Sequence, residues 1–509
     1  MIFRAPEEPL AIPEVALTAF LLQNAGALGE KPALIDAPSG RTLTYRGWAN
    51  GVRATAAGLS QRGFRKGEVF AIYSPNHPEY AIAFHAVSLL GGVVTTINPA
   101  YTAGELSHQL KDSGARYLVT TPAFVDKAAA AARENNLREV FVFGDSFDSL
   151  LGSHGDPPDV SIDPRNDVVA LPYSSGTTGL PKGVMLTHYN LVANILQSAR
   201  CFGVQTDDTT LGVLPFFHIY GLVIIMNLSL HLGATVVTMP RFELEQCLAT
   251  LQKYRVSYAY VVPPIVLALA KSPIVDNYDL SSLKRLFSGA APLAPEVARA
   301  AAARIGCGMT QGYGMTETSP LTHCTREVNG PGIGPAAPNT ESKIVAIGTG
   351  AELGPNEEGE ICVRGPQVMK GYLNNPDATA AMIDSEGWLH TGDIGYADAS
   401  GDFYVVDRVK ELIKYKGMQI APAELEAILL AHPCIADAAV VPFADEEAGQ
   451  VPKAFVVLKE QSTADDIMSY VADRVARYKR VRRVEIIDQI PRSPSGKILR
   501  RVLVARATQ

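Results

Sequence analysis

Residues 65–97 read RKGEVFAIYSPNHPEYAIAFHAVSLLGGVVTTI. Arg65–Tyr73 opens on a turn and closes on VFAIY, an unbroken apolar run that reads as a short buried strand. Tyr80–Leu90 reads as a helix and Gly92–Ile97 as the next strand. The rhythm returns with a helix over Leu106–Ser113 and a strand over Ala115–Thr120, and again with a helix over Glu245–Arg255 and a strand over Val256–Val262. Strands separated by helices predict α/β layers around central sheets.

The pattern changes near Gly354. Pro355–Arg364 reads as a turn and a strand, and further short strands run through Val406. The last hundred residues form another unit: helices over Ala423–Ala431 and Ala464–Arg477, strands over Ile435–Pro442, Lys453–Leu458 and Val484–Ile487. The expected fold class is therefore α/β, with a large N-terminal domain of layered α/β subdomains plus a β-rich subdomain, and a small α+β C-terminal domain. The division falls at Asp407–Arg408, giving units 1–406 and 407–509.

At 509 residues the chain is too long for one core. Its 45 basic and 52 acidic residues nearly balance, which argues against a dedicated nucleic-acid binder. Six cysteines lie scattered at 201, 247, 307, 324, 362 and 434 without metal-ligand spacing. The start, MIFRAPEEPLAIPE, lacks the basic and apolar regions of a secretory signal, and the apolar runs are too short or interrupted to span a bilayer. ARATQ at the end matches no peroxisomal address. These features predict a cytoplasmic protein with no stable membrane insertion.

The strongest chemical signal is YSSGTTGLPKG, residues 173–183. Gly176, Gly179 and Gly183 permit tight turns, and Ser174, Ser175, Thr177 and Thr178 offer hydroxyls. Exposed amides of such a loop cradle oxyanions, and Lys182 adds a point charge suited to phosphate. The spacing is not that of a Walker A loop. Two other readings stay open: a polar surface loop, and a Ser–Lys hydrolase.

Three further stretches supply a pocket. LPFFHIYG, residues 214–221, sets His218 and Tyr220 on one strand face if extended; a satisfied core histidine is the alternative. SGAAPL, residues 288–293, offers Gly289, Ala290 and Ala291, small enough for a bulky ligand to approach the backbone. In QGYGMTE, residues 311–317, Gly312 and Gly314 bend the chain around Tyr313, whose ring suits stacking on a purine. Thr316 suits a phosphate oxygen and Glu317 a Mg²⁺ ion beside a triphosphate.

Asp393, in GWLHTGD, has the acceptors for two ribose hydroxyls, and Arg408 suits ribose or phosphate. Lys414 and Lys416 recur with period two, so an extended segment puts both on one face; a solvated basic strand is the alternative. Lys497 lies in IPRSPSGKIL, where Pro491, Pro494 and Gly496 constrain its presentation. A cation so held stabilises charge as a carboxylate attacks phosphorus, and a solvated tail is the bland reading. The basic run at 477–483 suits coenzyme A phosphates or simply solubility.

Taken in order, YSSGTTGLPKGVMLTH, QGYGMTE, GEICVRGPQVMKGYLN, GWLHTGD, DRVKELIKYKGMQIAPAELE and PRSPSGKILR resemble the adenylate-forming superfamily, closest to its 4-coumarate–CoA ligase-like acyl-CoA ligases. The resemblance runs from about Leu43 to Leu503. It implies ATP, Mg²⁺ and coenzyme A as cofactors, with a small-molecule carboxylic acid as substrate. Residues 174–182 would hold the ATP phosphates, with Thr178 and Glu317 at the metal. Gln311 to Gly314 would hold adenine, and Asp393 and Arg408 ribose. Lys497 would be the adenylation lysine. A mobile C-terminal domain would swing about Asp407 or Arg408, withdrawing Lys497 and bringing in Lys414, Lys416 and Gly417. His218 would flank the carboxylate path, Tyr220 and Ile224 the acid pocket, and Gln419 the adenylate.

Two departures from the plant ligases stand out. The wall from Gly221 to Met226 is more aliphatic, with Ile224 where a small polar residue is expected, and Glu317 is followed by Thr-Ser-Pro rather than Ala-Gly-Pro. The expected activity is an ATP-dependent ligation of 4-coumarate-like aromatic acids or medium-chain fatty acids to coenzyme A. The alternative is a stand-alone adenylation enzyme serving a carrier protein in trans.

Overall fold

The computed structural model describes residues 1–507 except 175–180, 327, 329, 331, 409–410, 416–417, 446–447, 494–495 and the side chain of Gln419. The segment around residue 70 builds as the sequence predicts. Strand Val69–Tyr73 lies between the parallel strands Val93–Ile97 and Ala115–Thr120. The helix between the first two, Pro78–Leu89, starts on proline, whose fixed φ suits the first turn, and its described residues are buried almost all round. The next helix, Ala103–Ser113, is bounded by a Thr102–Glu105 capping box and by Gly114 in the left-handed region.

These strands belong to an eight-stranded sheet that runs from Gly371–Tyr372 through Lys182–Thr187 and Val168–Ala170 to Glu139–Val142. A second eight-stranded sheet carries Leu321–Cys324, Gly308–Gly314, Arg285–Ser288, Tyr258–Val261 and Thr209–Gly212 as successive neighbours. Its strands from Pro32–Asp36 to Gly308–Gly314 are parallel, so the polar loops at their carboxyl ends gather on one side. One continuous apolar core, from Leu17 to Tyr372, joins the two sheets. A five-stranded antiparallel sheet, including Gly359–Arg364, Leu389–Ala397 and Phe403–Arg408, forms the β-rich subdomain.

The C-terminal unit has its own five-stranded sheet and core. Gly449–Leu458 pairs antiparallel with Ile435–Asp445 and parallel with Arg483–Ile486, and helices Pro422–Leu430 and Ala464–Ala472 contribute buried leucine, isoleucine and valine. The chain leaves the β-rich sheet after Arg408 and enters the C-terminal sheet at Ile413.

Two local expectations are corrected. The helix expected over Ala464–Arg477 ends at Ala472, and Arg477–Lys479 is a separate 3₁₀ turn. The stretch around His218 is not extended: His218 lies in a turn closed by its amide on the Pro215 carbonyl, and Tyr220–Asn227 is a π-helix. The physical reason is burial. IYGLVIIM is apolar on every side and packs into the core, a pattern that does not separate a buried helix from a buried strand. Gly221 is required there, because a Cβ would run into the Pro215 carbonyl.

Candidate active site

A cleft of about 2550 Å³ opens where the large domain meets the C-terminal unit. Ser174, Lys182, His218, Ala290, Ala291, Gln311, Gly312, Tyr313, Gly314, Thr316, Glu317, Asp393, Arg408 and Lys497 all line it. An adjoining pocket of about 40 Å³, which shares His218, Tyr313 and Lys497 with the cleft, is lined also by Tyr220, Ile224 and Gly289. Sites from 174 to 497 in the sequence thus converge on one concavity.

The floor comes from the strand Gly308–Gly314. Tyr313 donates its hydroxyl to Asp393 Oδ2 at 2.6 Å, and Arg408 Nε meets Asp393 Oδ1 at 2.8 Å. Burial, reinforced by the Asp393 charge, pushes the Tyr313 phenol well above its usual range, so it stays a donor. The Asp393 carboxylate has about four acceptor positions, and these two bonds use one on each oxygen. Gly314 is fixed by packing, because a Cβ there would strike the Pro320 carbonyl.

Another part of the cleft is built around Glu317. It sits in the short 3₁₀ turn Thr316–Thr318, is buried, and accepts the Tyr372 hydroxyl on Oε1 at 2.8 Å. Lys182 Nζ lies 4.9 Å above the Tyr372 ring. A carboxylate oxygen turned into this cleft is the hard donor that Mg²⁺ prefers. Ser175, Gly176, Thr177, Thr178 and Gly179 lie outside the described residues.

His218 Nδ1 accepts the Tyr220 amide at 3.3 Å. Burial first, and Lys497 second, hold its imidazole down at about 3, so it is neutral at physiological pH. Beside it lies a small, mostly apolar pocket walled by Tyr220, Ile224, Phe287, Met315, Pro320 and Leu321. Tyr220 spends its hydroxyl on the Phe287 carbonyl at 3.2 Å. Lys497 reaches the mouth of this pocket, and its amine is lowered by burial and then by Arg408.

Not every expected residue gathers here. Lys414 is exposed on the strand Ile413–Tyr415 and is absent from the cleft lining. Lys416 and Gly417 lie outside the described residues, as does the side chain of Gln419, whose backbone pairs with Lys414.

Sequence reasoning missed three participants. Tyr372 is in the quoted KGYLN stretch, yet nothing there tied it to Glu317. Glu360 and His390 pair at 2.9 Å across adjacent strands, and the other Glu360 oxygen accepts the Gly392 amide at 2.9 Å, beside Asp393 on the same strand. Their distance in sequence concealed that pairing.

Residues 21–373 match the family described as AMP-binding enzyme, and residues 424–497 the AMP-binding enzyme C-terminal domain. The chain belongs to the AMP-binding, adenylate-forming enzymes. Within this family it stands close to the 4-coumarate–CoA ligase-like acyl-CoA ligases. It is 45% identical over 530 residues to 4-coumarate–CoA ligase 1 of Solanum tuberosum, across 99% of this chain and 96% of that one. The anthranilate CoA ligase AuaEII, solved with anthranoyl-AMP, superposes with a TM-score of 0.91 at 25% identity, covering 98% of each chain. ATP-bound MatB from Rhodopseudomonas palustris gives 0.88 at 27% identity, covering 96% of this chain and 98% of that one. By class the chain is an ATP-dependent, AMP-forming acyl-CoA ligase whose substrate is a small carboxylic acid. Among the described residues no helix is long and apolar enough to cross a membrane.

Proposed function

We propose that the chain joins a 4-coumarate-like aromatic acid to coenzyme A through an acyl-adenylate, releasing pyrophosphate and then AMP. The observation that carries this reading is the acid pocket: an apolar, partly aromatic wall of Tyr220, Ile224, Phe287, Met315 and Leu321 that leads to Lys497 and His218. The 45% identity to a 4-coumarate–CoA ligase along nearly the whole chain supports it.

In the first step Tyr313 covers adenine while Asp393 and Arg408 hold ribose. Ser174 and Lys182 meet the phosphates, together with the loop at 175–180. Glu317, with Thr178, would hold Mg²⁺, which offsets charge on the leaving pyrophosphate when bound. Lys497 places its ammonium at the carboxylate and α-phosphate, where negative charge accumulates. Neutral His218 lines the carboxylate path without adding a competing cation.

The second step needs a thiol at the acyl carbon and a site closed to water. Lys497 occupies the cleft here while Lys414 is outside it, which supports reading this arrangement as the adenylation one. Rotation of 407–509 about Asp407 or Arg408 would exchange the two faces, bring in Lys414, Lys416 and Gly417 and admit coenzyme A, with Gln419 securing the adenylate.

The test is a panel of aromatic and C6–C16 acids with ATP, Mg²⁺ and coenzyme A, followed by mass spectrometry and pyrophosphate release. Aromatic acyl-CoA as the main product supports the proposal. Preference for medium-chain acids overturns the aromatic assignment. Acyl-AMP without acyl-CoA overturns the acceptor and points to a carrier protein.

A further inference from the structure

Lys497 is a point charge on a flexible four-carbon stem. Its catalytic value depends on how firmly its backbone is held, because a displacement of about 1 Å at such a group costs about 100-fold in rate. The described residues either side of 494–495 pair as in a hairpin, Arg492 antiparallel to Ile498. Lys497 N donates to Ser493 Oγ at 3.1 Å, Ser493 N donates to the Lys497 carbonyl at 2.8 Å, and Leu499 N donates to the Pro491 carbonyl at 2.9 Å. Gly496 takes a left-handed φ of 81° and packs on Val262 and Pro264 of the large domain.

Two arginines anchor the hairpin, one on each side of the lysine. Before it, Arg492 pairs with Asp437 Oδ1 at 2.8 Å and donates to the Gly496 carbonyl at 3.0 Å. After it, Arg500 meets Glu411 Oε2 at 2.6 Å, the Val440 carbonyl at 2.7 Å and both oxygens of Glu426, one of them at 3.1 Å. Glu426 in turn accepts the Val440 amide at 2.7 Å, closing a ring of bonds between helix Pro422–Leu430 and strand Ile435–Asp445. Asp437 and Val440 belong to that one strand, so both arginines grip the same element. Glu411 lies in the crossing between the two sheets.

We infer that Arg492 and Arg500 are positioning residues for adenylation, clamping the Lys497 hairpin to the C-terminal unit so that the ammonium is carried as part of a rigid body. The inference rests on the reading of Lys497 as the adenylation lysine. The clamp predicts that losing either arginine affects adenylation far more than thioester formation, when that lysine is withdrawn. An arginine is required at 500 because its planar fork serves Glu411, Glu426 and Val440 at once, whereas lysine offers a single ammonium.

The experiment compares wild type, Arg500→Gln, Arg500→Lys, Arg492→Gln and Lys497→Ala in two half-reactions: pyrophosphate exchange with 4-coumarate, and thioester formation from supplied 4-coumaroyl-AMP and coenzyme A. Reductive methylation of Lys497, followed by peptide mass spectrometry, reports the lysine's surroundings whichever acid is used. Arg500→Gln lowers kcat for exchange about 10- to 100-fold, with KM for ATP and acid within about threefold and thioester formation within about twofold. Its Lys497 methylates several-fold faster, and Arg500→Lys recovers part of the exchange rate. Arg492→Gln follows the same direction and stands in if Arg500→Gln does not fold. Equal loss of both half-reactions, or unchanged methylation, overturns the clamp. Exchange that survives in Lys497→Ala overturns the reading of the lysine itself, whatever the arginine variants do.

Discussion

Replacing Asp393 by asparagine separates nucleotide binding from fold stability. The carboxylate accepts from Tyr313 at 2.6 Å and from Arg408 at 2.8 Å, one bond per oxygen, which leaves about two acceptor positions for the two ribose hydroxyls. Asparagine keeps one oxygen and turns the other position into a donor. One ribose bond to a charged group is then lost, worth about 1.5–3 kcal/mol, or about 10- to 150-fold in nucleotide affinity. Arg408 also loses its counter-charge. Its side chain is 35% exposed, so water screens part of that loss and the destabilisation is about 1–2 kcal/mol, less than for a sealed pair. Initial rates of acid-dependent pyrophosphate exchange give KM for ATP and for acid separately, and thermal unfolding gives stability. The expected result is a large rise in KM for ATP with KM for acid nearly unchanged. An ATP KM within twofold of wild type, alongside a lowered Tm, refutes the ribose assignment and leaves Asp393 a structural partner of Arg408.

Three other outcomes follow from the geometry. Ile224→Ala opens the small pocket and costs about 2–5 kcal/mol of stability; kcat/KM for ring-extended acids rises relative to cinnamate by about tenfold, read in the same exchange assay. Gly221→Ala forces a methyl into the Pro215 carbonyl and lowers stability by about 1–3 kcal/mol or more, measured by denaturant unfolding. His85 and His323 are fully buried, and burial holds both down at about 3 from 6.5. The unfolded chain therefore binds more protons below about pH 6.5, so stability is full above that value and falls as pH drops toward 3. Each contributes about 1 kcal/mol of loss at about pH 5.5, which chemical denaturation at pH 7.5 and 5.5 checks against His323→Gln.

The alternation over residues 65–120 was legible because buried parallel strands and crossover helices write distinct patterns, and the structure follows it within a few residues. The ordered motifs pointed to the cleft that Ser174, Lys182, Tyr313 and Lys497 line, because each carries a chemistry of its own: a hydroxyl and a cation at the ends of the 173–183 loop, a bent tyrosine at 313, a displayed lysine at 497. The π-helix at Tyr220 was hidden because an all-apolar run has no period to read. Tyr372, Glu360 and Arg500 were hidden for another reason. Each acts through a partner on a distant element, Glu317, His390 or Glu426, and long-range pairing leaves no mark in local composition.

Arg408 ends the last strand of the β-rich sheet, and the next strand of the chain belongs to the other sheet. Its guanidinium is bound to the same carboxylate that faces the cleft. On the proposed hinge, a turn of the C-terminal unit that bent the chain at this residue would also loosen Asp393. Linkage runs both ways with equal strength, so a nucleotide that tightens around Asp393 holds the joint still by the same free energy that turning the joint would take from the nucleotide. On that reading, release of AMP and freedom of the small domain would be two readouts of a single equilibrium.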